Sequence, residues 1–144
     1  MVNVPLNENE KRELIRAALA ARQYSYSPYS NYAVGAAILA EDGRIVTGCN
    51  VENASYGATN CAERTAFFKA ISEGITSFRA IAIAGGMSGQ PPMDFAYPCG
   101  VCRQVMQELG GPMLQILVAK NEEDYKVFTL EQLLPFGFGG ESLR

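Results

Sequence analysis

The chain is predicted to fold as one α/β domain on a single sheet of about five strands, and three observations predict it. Its apolar segments alternate between helical and strand-like spacing in the order α, β, β, α, β, α, β, β, α. Its 144 residues, 48% of them hydrophobic, supply enough apolar material for one substantial core. No linker, internal repeat or low-complexity segment interrupts residues 1–144, so they read as a single domain. Apolar strands need cover on both faces, and the interleaved helices provide it.

Residues 8–23 place Leu14, Ile15, Ala18 and Leu19 at helical spacing, after Asn7 with Glu10 three residues on, the signature of a capping box. The stretch 24–32, rich in Ser, Tyr, Pro and Asn, reads as an irregular loop leading into an apolar strand over 33–39. Asp42-Gly43 then separates that strand from 44–47 with the dipeptide of a tight hairpin, so the first two strands are expected to be antiparallel neighbours.

After a loop over 48–60, residues 61–73 set Ala62, Ala66, Ala70 and Ile71 on one helical face, and Gly74 is suited to stop the helix. A buried strand is expected at 79–84, followed by a Gly- and Pro-rich surface loop over 85–98. Pro98 is placed to open a third helix that ends at Gly110-Gly111. An apolar strand at 113–119, a turn at 121–124 and a short strand at 126–128 complete the sheet. Thr129 and Gln132 then form a capping box for a last helix stopped by Pro135.

Composition excludes several classes of function. Twelve Lys and Arg against fifteen Asp and Glu give a net charge of -3, with the cations scattered rather than gathered into a stripe. Binding a phosphate backbone requires clustered positive charge, so a nucleic-acid partner is not expected. No apolar run approaches the ~20 residues of a membrane span. The opening MVNVPLNENEKREL lacks the basic start and apolar core of a signal peptide, and a cytoplasmic location is expected.

In that reducing compartment four cysteines point to thiol, thiolate or metal chemistry rather than to disulfides. Histidine is absent altogether. The chain therefore has no Ser-His or Cys-His nucleophile pair and no imidazole metal ligand, and a transition metal would have to rely on cysteine, with or without carboxylates.

Cys99 and Cys102 stand in PCGVC at the start of a predicted helix, where residues three apart project to one side. Two thiolates can meet one ion there, although a lone CxxC also suits a redox pair or two packed cysteines. Cys61 opens the other helix in NCAER, so both clusters lie where free N–H groups and the helix dipole favour negative charge. Three thiolates around Zn²⁺ sum to a charge of -1, which Arg64 is placed to offset.

Three protein ligands leave the fourth tetrahedral position for water, the arrangement of catalytic zinc, which lowers that water's pKa from about 15.7 toward about 7. Glu63 is the candidate proton carrier. It lies two residues from Cys61, about 200° away on a continuous helix, and the two converge only if Cys61 projects from the helix end. Alternatives stay open at this point. Glu63 and Arg64 also suit an ordinary exposed first turn, and Cys49 could join the other three cysteines in a closed structural site with no chemistry.

CAE followed by PCxxC is a zinc deaminase pattern, here with an all-cysteine ligand set. The segments GCNVENASYG, CAERTAFFKAISEG, PCGVCRQVMQELG and LLPFGF, in this order and spacing, resemble the small tetrameric cytidine deaminases. The resemblance implies a three-layer α/β/α sandwich around a mixed five-stranded sheet. It implies one zinc per subunit, held by Cys61, Cys99 and Cys102, with Glu63 as the catalytic proton shuttle that also binds the pyrimidine ring and Arg64 tuning the zinc.

By the same resemblance, Asn50 and Glu52 hold the ribose hydroxyls and Tyr32 packs against the base. Ala54 and Ala62 contact substrate, while Tyr56 and Phe138 reach a neighbouring subunit's site. The implied activity is hydrolysis of cytidine and deoxycytidine to uridine and deoxyuridine plus ammonia, as in pyrimidine salvage, by a homotetramer with sites at its subunit interfaces. Tyr32 departs from the usual phenylalanine and Ala33 from a frequent proline, which leaves a modified aminopyrimidine nucleoside as the rival substrate.

Overall fold

The computed structural model describes residues 4–143. Helix α1 (Glu8–Ala21) starts at Asn7, whose side chain accepts from Glu10 N while Glu10 reaches back to Asn7 N. This reciprocal pairing satisfies two of the N–H groups that a helix start leaves bare. Strands β1 (Tyr32–Ala40) and β2 (Ile45–Cys49) form the antiparallel hairpin expected around Asp42-Gly43, with Gly43 at φ +92°, where a side chain would be strained.

Helix α2 (Ala62–Ser72) follows, stopped at Gly74 (φ +84°), then β3 (Phe78–Met87), helix α3 (Gly100–Leu109), β4 (Gln115–Ala119) and β5 (Tyr125–Thr129). A single helical turn, α4 (Leu130–Leu133), carries the expected capping box of Thr129 and Gln132. The sheet order is β2-β1-β3-β4-β5, and only the β3–β4 pair is parallel, so the sheet is mixed. The three-layer arrangement is the one expected.

Alternation along the strands divides the core in two. Ile38, Ile81, Ile83, Ile116 and Val118 point to one face, where they pack with Ala66, Phe67 and Ala70 of α2 and Met106 of α3. Ala37, Leu39, Ala80, Ala82, Ala84 and Leu117 point to the other, against Leu14, Ile15 and Ala18 of α1. Alanines on that second face let α1 lie close, and at Gly35 any Cβ would collide with the Ala18 carbonyl. On the first face α2 also comes close at Gly48, where a Cβ would stand 2.5 Å from Ala66 N and 2.6 Å from Ala62 O.

Two expectations need correction. β3 runs on through Gly85 and Gly86 to Met87, where a surface loop was expected. These glycines serve close approach. A Cβ at 85 would meet the Tyr32 ring at 2.9 Å and Ala96 Cβ at 3.0 Å, and one at 86 would meet Pro92 Cα at 2.9 Å. Pro98 does not open α3 either, because Cys99 takes the N-cap and Pro98 precedes it.

Gly48→Ala is expected to lower stability by ~1–3 kcal/mol, because the added methyl must push α2 off the sheet. Gly57→Ala, where a Cβ meets nothing within 4 Å, is the control. Thermal melts of the two variants beside wild type check this, and the effect should appear only at residue 48.

Candidate active site

Cysteine occupies the N-cap of both helices on the α2/α3 face, a position usually taken by Ser, Thr, Asp or Asn. Cys61 (φ -73°, ψ 155°) and Cys99 (φ -71°, ψ 170°) are extended, and neither side chain is used for capping, so both sulfurs remain available. The extended Cys61 resolves the problem of angular separation. Its side chain leaves the helix axis before the regular turn begins, so it shares a cavity wall with Glu63 instead of facing away from it.

Cys102, buried in the first turn of α3, completes a cluster in which all three sulfurs lie within 4.8 Å of one another, with Cys61 Sγ and Cys99 Sγ 3.9 Å apart. Tetrahedral zinc with Zn–S bonds of about 2.3 Å places its sulfurs about 3.8 Å apart, so the spacing suits zinc. Among the described residues Cys49 stands outside this cluster, which removes the closed four-cysteine site.

The surroundings of Cys61 favour its thiolate. Arg64 Nη2 donates to Cys61 Sγ at 3.3 Å. Hydrogen bonding from the Cys102 thiol, then from Arg64, brings the Cys61 pKa down to about 5, while the same Cys102 bond and burial push Cys102 up. Arg64 Nε is buried with no partner, the only such side-chain nitrogen or oxygen among the described residues. An orphaned guanidinium N–H is costly and fits a cation retained for the charge beside it.

Cys61 and Cys99 line a cavity of about 270 Å³. Val34 and Ile83 of the sheet form part of its wall, along with Tyr32, Asn50, Cys61, Ala62, Glu63 and Cys99. Glu63 is 4% exposed, and burial raises its carboxyl to about 7. A group with that pKa can both hold and release a proton near neutrality.

Asn50 is already engaged. Its Oδ1 accepts from Val34 N at 2.9 Å and from Ser25 Oγ, and its Nδ2 donates to Tyr32 O at 2.8 Å, which leaves one amide hydrogen free. Glu52 accepts from Tyr29 N, Ser30 N and Ser30 Oγ, and the Ser30 hydroxyl holds its carboxyl below the usual range.

Glu52 and Tyr56 line a second cavity with Tyr29, Ser30, Asn53 and Thr59, and Thr59 also borders the first. The structure therefore brings Cys61, Cys99, Cys102, Glu63, Arg64, Ala62, Asn50 and Tyr32 together, with Glu52 and Tyr56 next door. Ala54 is exposed and lines neither cavity, and Phe138 is exposed at the C-terminal end, where Gln104 Nε2 donates to its carbonyl. Sequence reasoning missed Ala96 and Tyr97 on the wall of the first cavity. The one available signal was their place directly before PCGVC.

Residues 8–118 match the family described as the cytidine and deoxycytidylate deaminase zinc-binding region. The chain belongs to this family. It is 46% identical over 131 residues to the cytidine deaminase of Sporosarcina psychrophila, spanning 91% of this chain and 93% of that one. The crystal structure of cytidine deaminase from Burkholderia pseudomallei superposes with a TM-score of 0.79 at 49% identity, covering 88% of this chain and 97% of the other. That of cytidine deaminase from Mycobacterium tuberculosis gives 0.76 at 40% identity, with 94% and 99% covered. Membership makes the chain an enzyme of the zinc-dependent deaminase class, and the three-thiol cluster suits its metal. No described helix is long and apolar enough to cross a membrane.

Asn50→Ala should cost ~1–3 kcal/mol of stability even without substrate, since it strips partners from the half-buried start of β1. Asn50→Asp should cost less, because it keeps the acceptor for Val34 N. Denaturant melts of the two variants separate this structural role from any loss of substrate affinity.

Proposed function

We propose that the chain hydrolyses cytidine and deoxycytidine to uridine and deoxyuridine with release of ammonia, Cys61, Cys99 and Cys102 holding one zinc ion. The observation that carries this reading is Glu63, a buried carboxyl poised near neutrality that shares a cavity wall with Cys61 and Cys99. Zinc held by the three thiolates supplies Lewis acidity that makes hydroxide available at neutral pH.

The residues of the chain do the rest. Glu63 takes the proton of the attacking water and gives it to the ring nitrogen N3, which leaves C4 open to addition. It then carries a second proton to the departing amine, so that one water is consumed and one ammonia released per turn. Arg64 keeps its cation against Cys61, tempering the electron donation of three sulfurs.

Tyr32 and the sheet residues Val34 and Ile83 give the base an apolar slot, while the free amide hydrogen of Asn50 and the Glu52 carboxylate face sugar hydroxyls. Exposed aromatic rings support a homotetramer with sites shared between subunits. Tyr56 is 77% exposed and Phe138 57%, a poor state for aromatic rings that a neighbouring copy would relieve. We assign Tyr56 and Phe138 to such shared sites.

Ultraviolet monitoring of cytidine and deoxycytidine with protein of known zinc content tests the assignment. Wild type should convert both, Glu63→Gln should keep its zinc and lose about 10²–10⁴-fold in kcat, and Cys102→Ser should lose the metal. Zinc-loaded wild type that leaves both nucleosides untouched would overturn it.

A further inference from the structure

One side chain of α3 makes contacts that the deamination chemistry does not use. Arg103 follows Cys102, is half-buried, and uses two edges of its guanidinium at once. Nε donates to Pro98 O at 2.7 Å and Nη1 donates to Leu133 O at 2.7 Å. The backbone N–H of Arg103 donates to Cys99 O at 2.9 Å. Arg103 thus holds the carbonyls of both peptide planes that flank the Cys99 Cα, one through its side chain and one through its main chain, and braces them against the end of α4.

Cys99 needs such support. It is the exposed member of the thiol cluster, and as an N-cap without a capping bond its side chain has no anchor of its own in the helix. Pro98 before it is buried, so its carbonyl requires a protein partner, which Arg103 supplies.

We propose that Arg103 is a positioning residue of the metal centre, fixing the Pro98–Cys99 turn so that Cys99 Sγ stands beside Cys61 and Cys102. The inference rests on reading those three thiols as zinc ligands. Groups that orient a metal ligand from behind typically change metal affinity 10–100-fold when lost. Lysine cannot substitute, because a single ammonium lacks the planar fork that spans the carbonyls of Pro98 and Leu133.

Transfer of zinc from the loaded protein to an excess of chromophoric chelator tests this. Arg103→Lys should release zinc at least about tenfold faster than wild type, with Arg103→Gln as the second variant should the first not fold. Ile15→Val, which loosens the core on the opposite face of the sheet, controls for a general loss of stability and should release zinc at the wild-type rate.

If the Arg103 variants release zinc no faster than Ile15→Val, the positioning role is overturned while the zinc centre stands. If wild type takes up no zinc, or Cys99→Ser retains it as wild type does, the reading of the three thiols fails and the proposal fails with it.

Discussion

Two helices on one face of the sheet begin at the same place, and the packing that forces them to do so governs everything at the site. α2 can reach its starting point only because Gly48 lets its backbone lie directly on β2. α3 starts at Cys99, which takes the N-cap directly after the buried Pro98. Each helix start brings a cysteine whose sulfur is not needed for capping and a set of free N–H groups that favour negative charge. The third thiol follows one turn into α3 at no further cost in chain geometry.

A chain without histidine has no imidazole to offer a metal, and on the proposed reading its centre is built from sulfur and carboxylate. On that reading three thiolates donate more charge than imidazoles would, and Arg64 faces them with a guanidinium nitrogen on Cys61 and an Nε left unpaired in the interior. Burial performs the opposite task on Glu63, keeping a proton within reach of neutral pH. Both pKa values rise, but the charged form is favoured at Arg64 by the charge it faces and disfavoured at Glu63 by the water it is denied.

Much of the fold was legible because its signals are local. The capping boxes at Asn7 and Thr129, the Asp42-Gly43 turn and the Gly74 stop each depend on residues within a few positions, and each is present. Gly85 and Gly86 misled because a glycine pair reads as a loop until the Tyr32 ring, distant in sequence, and Pro92, brought back by the following loop, are seen to occupy the space that side chains would take. The thiol cluster could be read from spacing and helix starts, but Tyr97 could not, since a loop aromatic has no periodicity to betray which way it faces. Glu63 required knowledge of the Cys61 backbone conformation, which spacing leaves undetermined.

Gly85 also has a bearing on how such an enzyme could diverge. The Tyr32 ring and Ala96 both rest on the space this glycine leaves empty, and both line the cavity at the thiols. Any larger residue at 85 would evict one of them, so the width of the slot is set by a buried strand beneath it rather than by the residues that touch a ligand. Changes of substrate range on this scaffold can therefore arise from a position that no contact map of the bound molecule would include.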